Sequence, residues 1–248
     1  FTLVACLSLA TLPVDGQAAI LKAAIFDAPP FIILGKDRAE PSGIDIDLIR
    51  ELARRMNCRP VFQEATWVRC LALMKSGGAD VLSSVYRNAE REAFLHYLDI
   101  PYLTQLPIAF FFRADNGVRI RRYEDIYRWS PVGVLQGASY FTAFDNDDKV
   151  VRETVGSQEQ ITRMLVSGRL ALAACYVDTQ NYYNKTLGFS GILRQSEFIW
   201  NARAEVFITL SRKSALFSRQ AEFDRVWAGM VKEGFVQATV DRYRALYR

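Results

Sequence analysis

The sequence has few of the residues that build metal sites and nucleophilic catalytic centres. It contains a single histidine, His96, and four cysteines, which are Cys6, Cys58, Cys70 and Cys175. No two cysteines have C-x-x-C spacing, so a zinc site is not expected, and the disulfide state stays open. A Ser-His-Asp or Cys-His catalytic set would have to use His96, which we expect at the surface or at a lobe edge instead. We therefore expect no metal, no cofactor and no covalent catalysis.

Neither a dense basic patch nor a long apolar run is present. Basic residues exceed acidic ones by 31 to 27, and the net charge of +4 is scattered along the chain. The adjacent pairs Arg54-Arg55 and Arg121-Arg122 have no interleaved aromatic residues, so nucleic acid is not an expected partner. No run reaches the roughly 18 apolar residues of a membrane span. The hydrophobic fraction of 50% indicates a globular protein.

The N-terminal residues have the pattern of an export signal. Residues 1–12 are apolar apart from threonine and serine hydroxyls and one cysteine, and Pro13 and the small residues 16–19 follow. Such a run is typical of the apolar region and cleavage site of a signal peptide. We predict residues 1–19 as part of an export signal and the periplasm as the destination. A lipid anchor at Cys6 is an alternative that fits less well, because the apolar run continues beyond it.

Alternating strand and helix patterns predict a first α/β unit. Its elements are strand 20–26, helix 43–56, strand 59–63, helix 67–76 and strand 81–84. Gly77-Gly78 is expected to end the second helix. This β-α-β-α-β order implies a parallel sheet with a ligand at the carboxyl ends of its strands.

A second unit is predicted between two long apolar strands, 106–113 and 204–211. It contains strand 131–135, a helix from about Ser139, helix 158–167, strand 170–174 and a helix from about Thr179. The amphipathic stretch 217–246 would return the chain to the first unit. The pattern by itself predicts two α/β units and no internal repeat.

Residues 79–102 contain the most informative motif of the chain. A short apolar strand runs into Ser83 and Ser84, the basic residue Arg91 follows, and Asp99-Ile-Pro-Tyr102 opens a new extended segment. Hydroxyls at the end of a strand beside a guanidinium suit the binding of a carboxylate, because arginine offers a planar fork that matches two oxygens.

This motif resembles the signature "D-x-I-x-x-x-x-x-T-x-x-R…F-S-x-P-Y" of bacterial extracytoplasmic solute-binding proteins of family 3, the polar amino-acid type. The segment Val132-Gly-Val-Leu-Gln-Gly-Ala-Ser139 resembles the family's "V-G-V-x-x-G-T-T". The resemblance extends over most of the chain. It implies a type II periplasmic-binding-protein fold, with two α/β lobes joined by two crossing hinge strands and the ligand cleft between them. The expected lobes are 20–109 plus 206–248, and 110–205.

The resemblance also implies ligand-binding residues in the first lobe. Glu90-Arg91-Glu92 is similar to the family's "P-E-R", which makes Arg91 the expected carboxylate anchor, with Arg87 as its competitor. Ser84, Tyr86 and Trp67 are expected at the ligand because of their positions in the family's pattern, and the Trp67 ring is expected either as an aromatic platform or in the core. Asp27 and Phe31 flank the first loop and Arg69 lies two residues beyond Trp67, which makes these three weaker lining candidates.

In the second lobe the resemblance implies a ligand contact at Ala138 and Ser139, where a helix start would direct free N–H groups into the cleft. One departure concerns the acid that binds the ammonium of an α-amino acid in relatives. Tyr176 stands at its position, and Asp178 lies two residues further on. If Asp178 does not replace it, the ligand is an organic acid or another small anion without an α-ammonium.

The leading hypothesis is therefore a monomeric binding protein without enzymatic activity. It would capture a small carboxylate-bearing solute by hinge closure, and the resemblance implies the membrane subunits of an ABC transporter as partners. One alternative is a periplasmic enzyme similar to cyclohexadienyl dehydratase, for which Asp178 and Glu64 are the candidate acids. Another is a ligand-sensing partner of a signalling receptor.

Overall fold

A computed structural model describes residues 18–35 and 39–248, so the predicted export signal lies outside the described residues except at its end. The described strands are β1 (Ala19–Ile25), β2 (Cys58–Glu64), β3 (Val81–Tyr86), β4 (Leu95–Tyr97), β5 (Leu103–Arg113), β6 (Val132–Leu135), β7 (Arg152–Val155), β8 (Leu172–Tyr176) and β9 (Leu193–Ser211). The helices are α1 (Ile44–Arg55), α2 (Trp67–Ser76), α3 (Ala89–Glu92), α4 (Thr142–Asp145), α5 (Gln158–Val166), α6 (Val177–Thr186), α7 (Gln220–Lys232) and α8 (Phe235–Tyr247).

The strands form one mixed sheet in the order β2-β1-β3-β9-β5-β8-β6-β7, and β4 pairs with β9. Strand β1 is parallel to β2 and β3, and β6 is parallel to β7 and β8. Strands β5 and β9 are antiparallel to each other and join the two parallel units. Because β-α-β units require parallel strands, this topology confirms the predicted fold class of two α/β lobes joined by two crossing strands.

Each lobe has its own hydrophobic core. The first lobe comprises β1–β4, α1–α3, α7 and α8, the second comprises β6–β8 and α4–α6, and β5 and β9 run through both. On β5, Leu106 packs into the core of the first lobe and Ile108 into that of the second. In the first lobe, Trp227 is fully buried and its Nε1 donates a hydrogen bond to the carbonyl of Ile100 at 2.7 Å. The lobe boundaries at 109/110 and 205/206 stay a prediction.

Local sequence signals explain the helices of the first lobe. Asp45 and Asp47 lie in the first turn of α1, where the helix dipole favours acids. The side chain of Thr66 caps α2 by accepting a hydrogen bond from the backbone N–H of Arg69 at 3.4 Å. Gly77 ends α2 in the left-handed conformation, with φ of +80°. The predicted α1 and α2 are thus confirmed to within two residues.

The helix predicted from about Ser139 begins later than expected, and it is short. Residues 136–141 form a turn and an irregular segment, and α4 is a single turn that begins at Thr142. The carboxylate of Asp145 accepts hydrogen bonds from the Ser139 hydroxyl at 2.8 Å and from the backbone N–H of Tyr140 at 3.0 Å. An aspartate that binds nearby backbone in this way competes with helix formation.

The remaining differences from the sequence pattern concern long-range pairing. Strands β4 and β7 were not predicted, and β9 begins at Leu193 rather than near Ala204, because it pairs with β5 along most of its length. The C-terminal amphipathic stretch consists of two helices separated at Gly234, whose φ is +78°. Both helices pack against the first lobe, as expected. No helix of the described part of the chain is long and apolar enough to cross a membrane.

Candidate functional site

A cavity of about 550 Å³ lies between the lobes. This volume is within the range of small-molecule sites. The first lobe contributes aromatic and hydroxyl side chains, which are Phe31, Ser84, Tyr86 and Tyr102. The crossing strands contribute mainly apolar residues, which are Leu103, Leu106, Pro107, Arg203, Ala204 and Val206. The second lobe contributes the segment after β6, the end of β8 and the start of α6, with Gly137, Ala138, Ser139, Tyr140, Tyr176, Asp178 and Thr179. A ligand in this cavity would contact both lobes at once.

Ser84 reaches the cavity wall from an irregular point of β3. The pairing of β3 with β9 shifts register between Leu82 and Val85, which is a β-bulge. Ser84 has φ of +58°, in the left-handed region that a serine adopts infrequently. Bulges of this kind re-aim side chains beside functional sites, and the surrounding structure must compensate for the local strain.

A buried carboxylate holds the Ser84 hydroxyl in place. Ser84 Oγ donates to Asp45 Oδ2 at 2.7 Å, and the phenol of Tyr102 donates to the same oxygen at 3.0 Å. Asp45 is fully buried, and its other oxygen, Oδ1, has no hydrogen-bond partner among the described residues. Burial raises the pKa of the Asp45 carboxyl, an effect that the Ser84 and Tyr102 hydrogen bonds only partly offset. Asp45 lies in the first turn of α1, inside the helix predicted over 43–56, and no sequence motif connects it with the site.

Arg91 and Trp67 lie next to each other but do not line the cavity. The Arg91 guanidinium stands 5.2 Å from the centre of the Trp67 ring, and its Nη1 donates to the Tyr86 carbonyl at 3.0 Å. Only Tyr86, of these three, contributes to the cavity wall. Trp67 also packs edge-on against Phe26, with 5.0 Å between ring centres. The roles of Arg91 as anchor and of Trp67 as platform stay predictions.

The other first-lobe candidates take different positions. The competitor Arg87 lies 4.8 Å from the ring centres of both Tyr97 and Phe207 and pairs with Glu92 at 3.7 Å. Asp27 is exposed in the loop after β1 and does not line the cavity. Partial burial raises the pKa of its carboxyl, and the neighbouring charge of Glu64 adds to this. The role of Asp27 at the ligand also stays a prediction.

In the second lobe, two tyrosine rings form one wall of the cavity. Tyr140 and Tyr176 stack with 5.8 Å between ring centres and an interplanar angle of 23°. The Tyr176 phenol donates to the backbone carbonyl of Ser139, and the phenol oxygen of Tyr140 accepts from the backbone N–H of Leu135 at 2.9 Å. Burial raises the pKa of Tyr176 to about 12, so its ring remains neutral at physiological pH. The predicted positions 138, 139 and 176 thus meet at one wall.

Asp178 lines the cavity but is engaged by an arginine of the first lobe. Arg244 on α8 places Nε at 3.2 Å from Oδ1 and at 3.1 Å from Oδ2, and Nη2 at 2.8 Å from Oδ2. The side chains are 24% exposed for Arg244 and 11% exposed for Asp178. Sequence reasoning missed Arg244, because the pair joins two lobes and 66 positions separate its members. It also missed Arg203, which has no short-range motif and reaches the cavity from β9.

The single histidine and the three described cysteines lie away from the cavity, in contact with the interior of the lobes. His96 Nε2 lies 2.9 Å from both carboxylate oxygens of Asp224 on α7. Cys58, Cys70 and Cys175 are buried free thiols, and burial raises the pKa of Cys70 to about 11 and that of Cys175 to about 12. Within residues 18–35 and 39–248, no group of three or more histidine, cysteine, aspartate or glutamate side chains is placed to bind a metal ion.

Two α/β lobes, two crossing strands and a cavity lined by both lobes define a two-lobed ligand-binding protein of the type II periplasmic-binding-protein fold. The chain matches the family of bacterial extracellular solute-binding proteins, family 3, over residues 21–245, and it belongs to that family. The resemblance seen in the sequence is thereby confirmed. No curated protein sequence matches the chain.

Solved structures share this fold at low sequence identity. An ancestral cationic amino acid solute-binding protein superposes with a TM-score of 0.73 at 20% identity, over 94% of this chain and 96% of that one. A histidine kinase sensor domain with similarity to periplasmic binding proteins gives 0.68 at 19%, over 93% and 97%. An arginine transport-system periplasmic binding protein from Legionella pneumophila gives 0.68 at 14%, over 91% and 99%. At such identities the likeness shows the fold alone.

Proposed function

We propose that this protein acts in the periplasm, binds a small carboxylate-bearing solute between its lobes, closes around it and delivers it unchanged to the membrane subunits of an ABC-type importer. The observation that carries this proposal is the cavity of about 550 Å³, whose walls come from both lobes and both crossing strands. A solute that contacts both lobes binds the closed form more tightly than the open form and therefore shifts the population toward closure.

Two arginines support a carboxylate as the recognised group. Arg203 contributes to the cavity wall directly. Arg91 donates a hydrogen bond to the backbone carbonyl of Tyr86, and Tyr86 lines the cavity. The Arg91 guanidinium therefore lies directly behind a residue of the wall. We propose Arg91 as the bidentate anchor and Arg203 as a second cation, because a guanidinium matches the two oxygens of a carboxylate.

An enzyme on the same fold is less well supported by the site. General acid catalysis needs a carboxylic acid within reach of the substrate. Asp178 is engaged by Arg244, and Glu64, the other candidate, does not line the cavity. Since one of the superposed structures is a sensor domain, the fold itself does not separate delivery from sensing.

The test is a thermal-unfolding screen of the protein without its predicted export segment against a panel of small carboxylates. A ligand that binds only the folded state adds RT ln(1 + [L]/Kd), about 2.7 kcal/mol at a hundredfold excess over Kd. In Arg91→Ala we expect binding to weaken by about 2–5 kcal/mol, because the ligand charge loses its partner. Arg169→Ala, at an exposed position in the second lobe, is the matched control and should bind normally.

Mass spectrometry of the recovered ligand completes the experiment. An unchanged ligand supports capture, whereas a converted one would establish an enzyme. If no carboxylate shifts the unfolding temperature, carboxylate capture is refuted. If Arg91→Ala binds like the control, the cleft binds carboxylates without the proposed anchor.

A further inference from the structure

The described part of the cavity wall contains a single carboxylate, and that carboxylate is already paired with an arginine. Among the described lining residues, Asp178 is the only acid. Both of its oxygens receive hydrogen bonds from Arg244, at 2.8 to 3.2 Å, and only 11% of its side chain is exposed. A ligand ammonium at Asp178 would have to share the carboxylate with a guanidinium that is itself three-quarters buried, so the ion pair as a whole offers it no net negative charge.

The cavity wall also contains an arginine side chain whose charge is not balanced by an ion pair among the described residues. Arg203 is the only basic residue of the wall, and it forms no ion pair within the described part of the chain. With Asp178 paired and Arg203 free, the charges that face the cavity sum to a positive value. Such a wall attracts an anion and opposes a second positive charge on the same ligand.

Three hydroxyls of the wall already donate to carboxylates of the protein, so toward a ligand they act as neutral acceptors. The Ser84 and Tyr102 protons point to Asp45, which lies fully buried behind the wall, and the Ser139 proton points to Asp145. Their remaining lone pairs can accept from a ligand hydroxyl or from an ammonium. They do not neutralise a charge, however, and the burial of an ammonium without a counter-anion is much more costly than the burial of a hydrogen-bonded hydroxyl.

On the basis of the proposed carboxylate capture, on which this inference rests, we infer that the cleft selects organic acids and hydroxy acids that lack an α-ammonium over the corresponding amino acids. Arg203 binds the negative charge of the ligand, and Arg244 disfavours an ammonium because it already balances the charge of Asp178. The stacked rings of Tyr140 and Tyr176 and the apolar part of β5 cover the body of the ligand.

Isothermal titration calorimetry with matched triplets tests this selectivity. Each triplet has the same skeleton with an α-amino group, an α-hydroxyl or an α-hydrogen: phenylalanine, 3-phenyllactate and 3-phenylpropanoate; leucine, 2-hydroxy-4-methylpentanoate and 4-methylpentanoate; glutamate, 2-hydroxyglutarate and glutarate. In at least one triplet we expect the hydroxyl or hydrogen member to bind about tenfold or more tightly than the amino member. If the amino member binds as well as or better than its partners in every triplet that binds, the inference is overturned while carboxylate capture stays intact. No binding by any member would instead refute carboxylate capture for these skeletons together with the selectivity built on it.

Two variants assign the selectivity to its residues. Arg203→Gln should weaken binding of the preferred acid about tenfold, whereas Arg194→Gln, an exposed arginine on the same strand that does not line the cavity, should not. Arg244→Gln frees Asp178 and should shift the ratio of amino-acid to hydroxy-acid affinity about tenfold toward the amino acid. Unchanged affinity in Arg203→Gln, or an unchanged ratio in Arg244→Gln, would contradict the assignment. The triplets on the unmodified protein decide the selectivity even where a variant fails to fold.

Discussion

The contact between α6 and α8 joins the two lobes beside the cleft, and we expect its ion pair to favour the closed form. Arg244 and Asp178 form the pair, and the rings of Tyr247 and Tyr182 meet edge-on with 4.9 Å between their centres. Opening of the lobes would separate these residues. Replacement of Arg244 by glutamine therefore removes an attraction that exists only in the closed form, and we expect the variant to open.

The magnitude follows from the burial of the pair. Exposed ion pairs contribute about 0.2–1 kcal/mol, and disruption of a buried pair costs about 3–5 kcal/mol. Asp178 and Arg244, at 11% and 24% exposure, lie between these limits. We expect Arg244→Gln to reduce the free energy of closure by about 1–2 kcal/mol, which lowers the ratio of closed to open molecules about 5- to 30-fold.

Small-angle X-ray scattering of the ligand-free protein measures this change as an increase in the radius of gyration. Arg242→Gln is the matched control, because Arg242 lies on the same helix but pairs with Asp47 inside the first lobe, at 2.7 Å. The control should keep the radius of gyration of the unmodified protein. An equal radius in Arg244→Gln, or an equal increase in both variants, would refute the reasoning. Weaker closure in Arg244→Gln lowers the affinity for every ligand by the same factor, so it does not change the ratio of amino-acid to hydroxy-acid affinity.

Two further predictions concern stability. Burial raises the pKa of Asp45 above its usual 3.8, so its ionisation increasingly destabilises the folded state as the pH rises from 3.8 through the folded pKa. Denaturant unfolding should therefore show Asp45→Asn gaining stability relative to the unmodified protein as the pH is raised from about 4 to 7, and a gap that moves in the opposite direction would contradict the raised pKa. Gly43→Ala should cost about 2 kcal/mol or more, because Gly43 has φ of +120° and its new Cβ would lie 2.4 Å from the Phe31 carbonyl oxygen. Gly168→Ala, with φ of +74° and open space around it, should cost only about 1 kcal/mol, and equal losses in urea titrations would exclude the predicted clash.

Elements with strong local signals were predicted well. The start of α1 is specified by two acids in its first turn, and α2 is bounded by a threonine cap and by Gly77. These features act over three or four residues, so they operate in the same way whatever the rest of the chain does. The helix expected from about Ser139 begins only at Thr142, because the side chain of Asp145 accepts hydrogen bonds from the Ser139 hydroxyl and the Tyr140 backbone N–H. The sequence pattern of the preceding strand does not indicate these hydrogen bonds.

The candidate site was predicted only in part. Ser84, Tyr86, Ala138, Ser139, Tyr176 and Asp178 lie in one cavity wall. Arg91, Trp67 and Asp27 do not line the cavity in this structure, and their ligand contacts remain predictions. Arg203 and Asp45 were missed, since neither belongs to the motif that identified the site. Asp45 matters because it binds Ser84 and Tyr102, and Arg203 because it faces the cavity. These contacts are made in space and are not specified by the spacing of residues along the chain.

The sequence by itself determined the fold class, the family and the segments that meet at the cleft, because hydrophobic periodicity, caps and the two motifs are properties of short stretches of chain. Only the tertiary structure decided how the charges at the cleft are paired. Arg244 comes from the last helix and Asp178 from the other lobe, and their separation along the chain is unrelated to their 2.8 Å contact. The strength of an electrostatic interaction depends on the distance between the charges and on their burial. Whether a charged side chain of the cleft has an ion-pair partner is therefore decided only when the two lobes pack together.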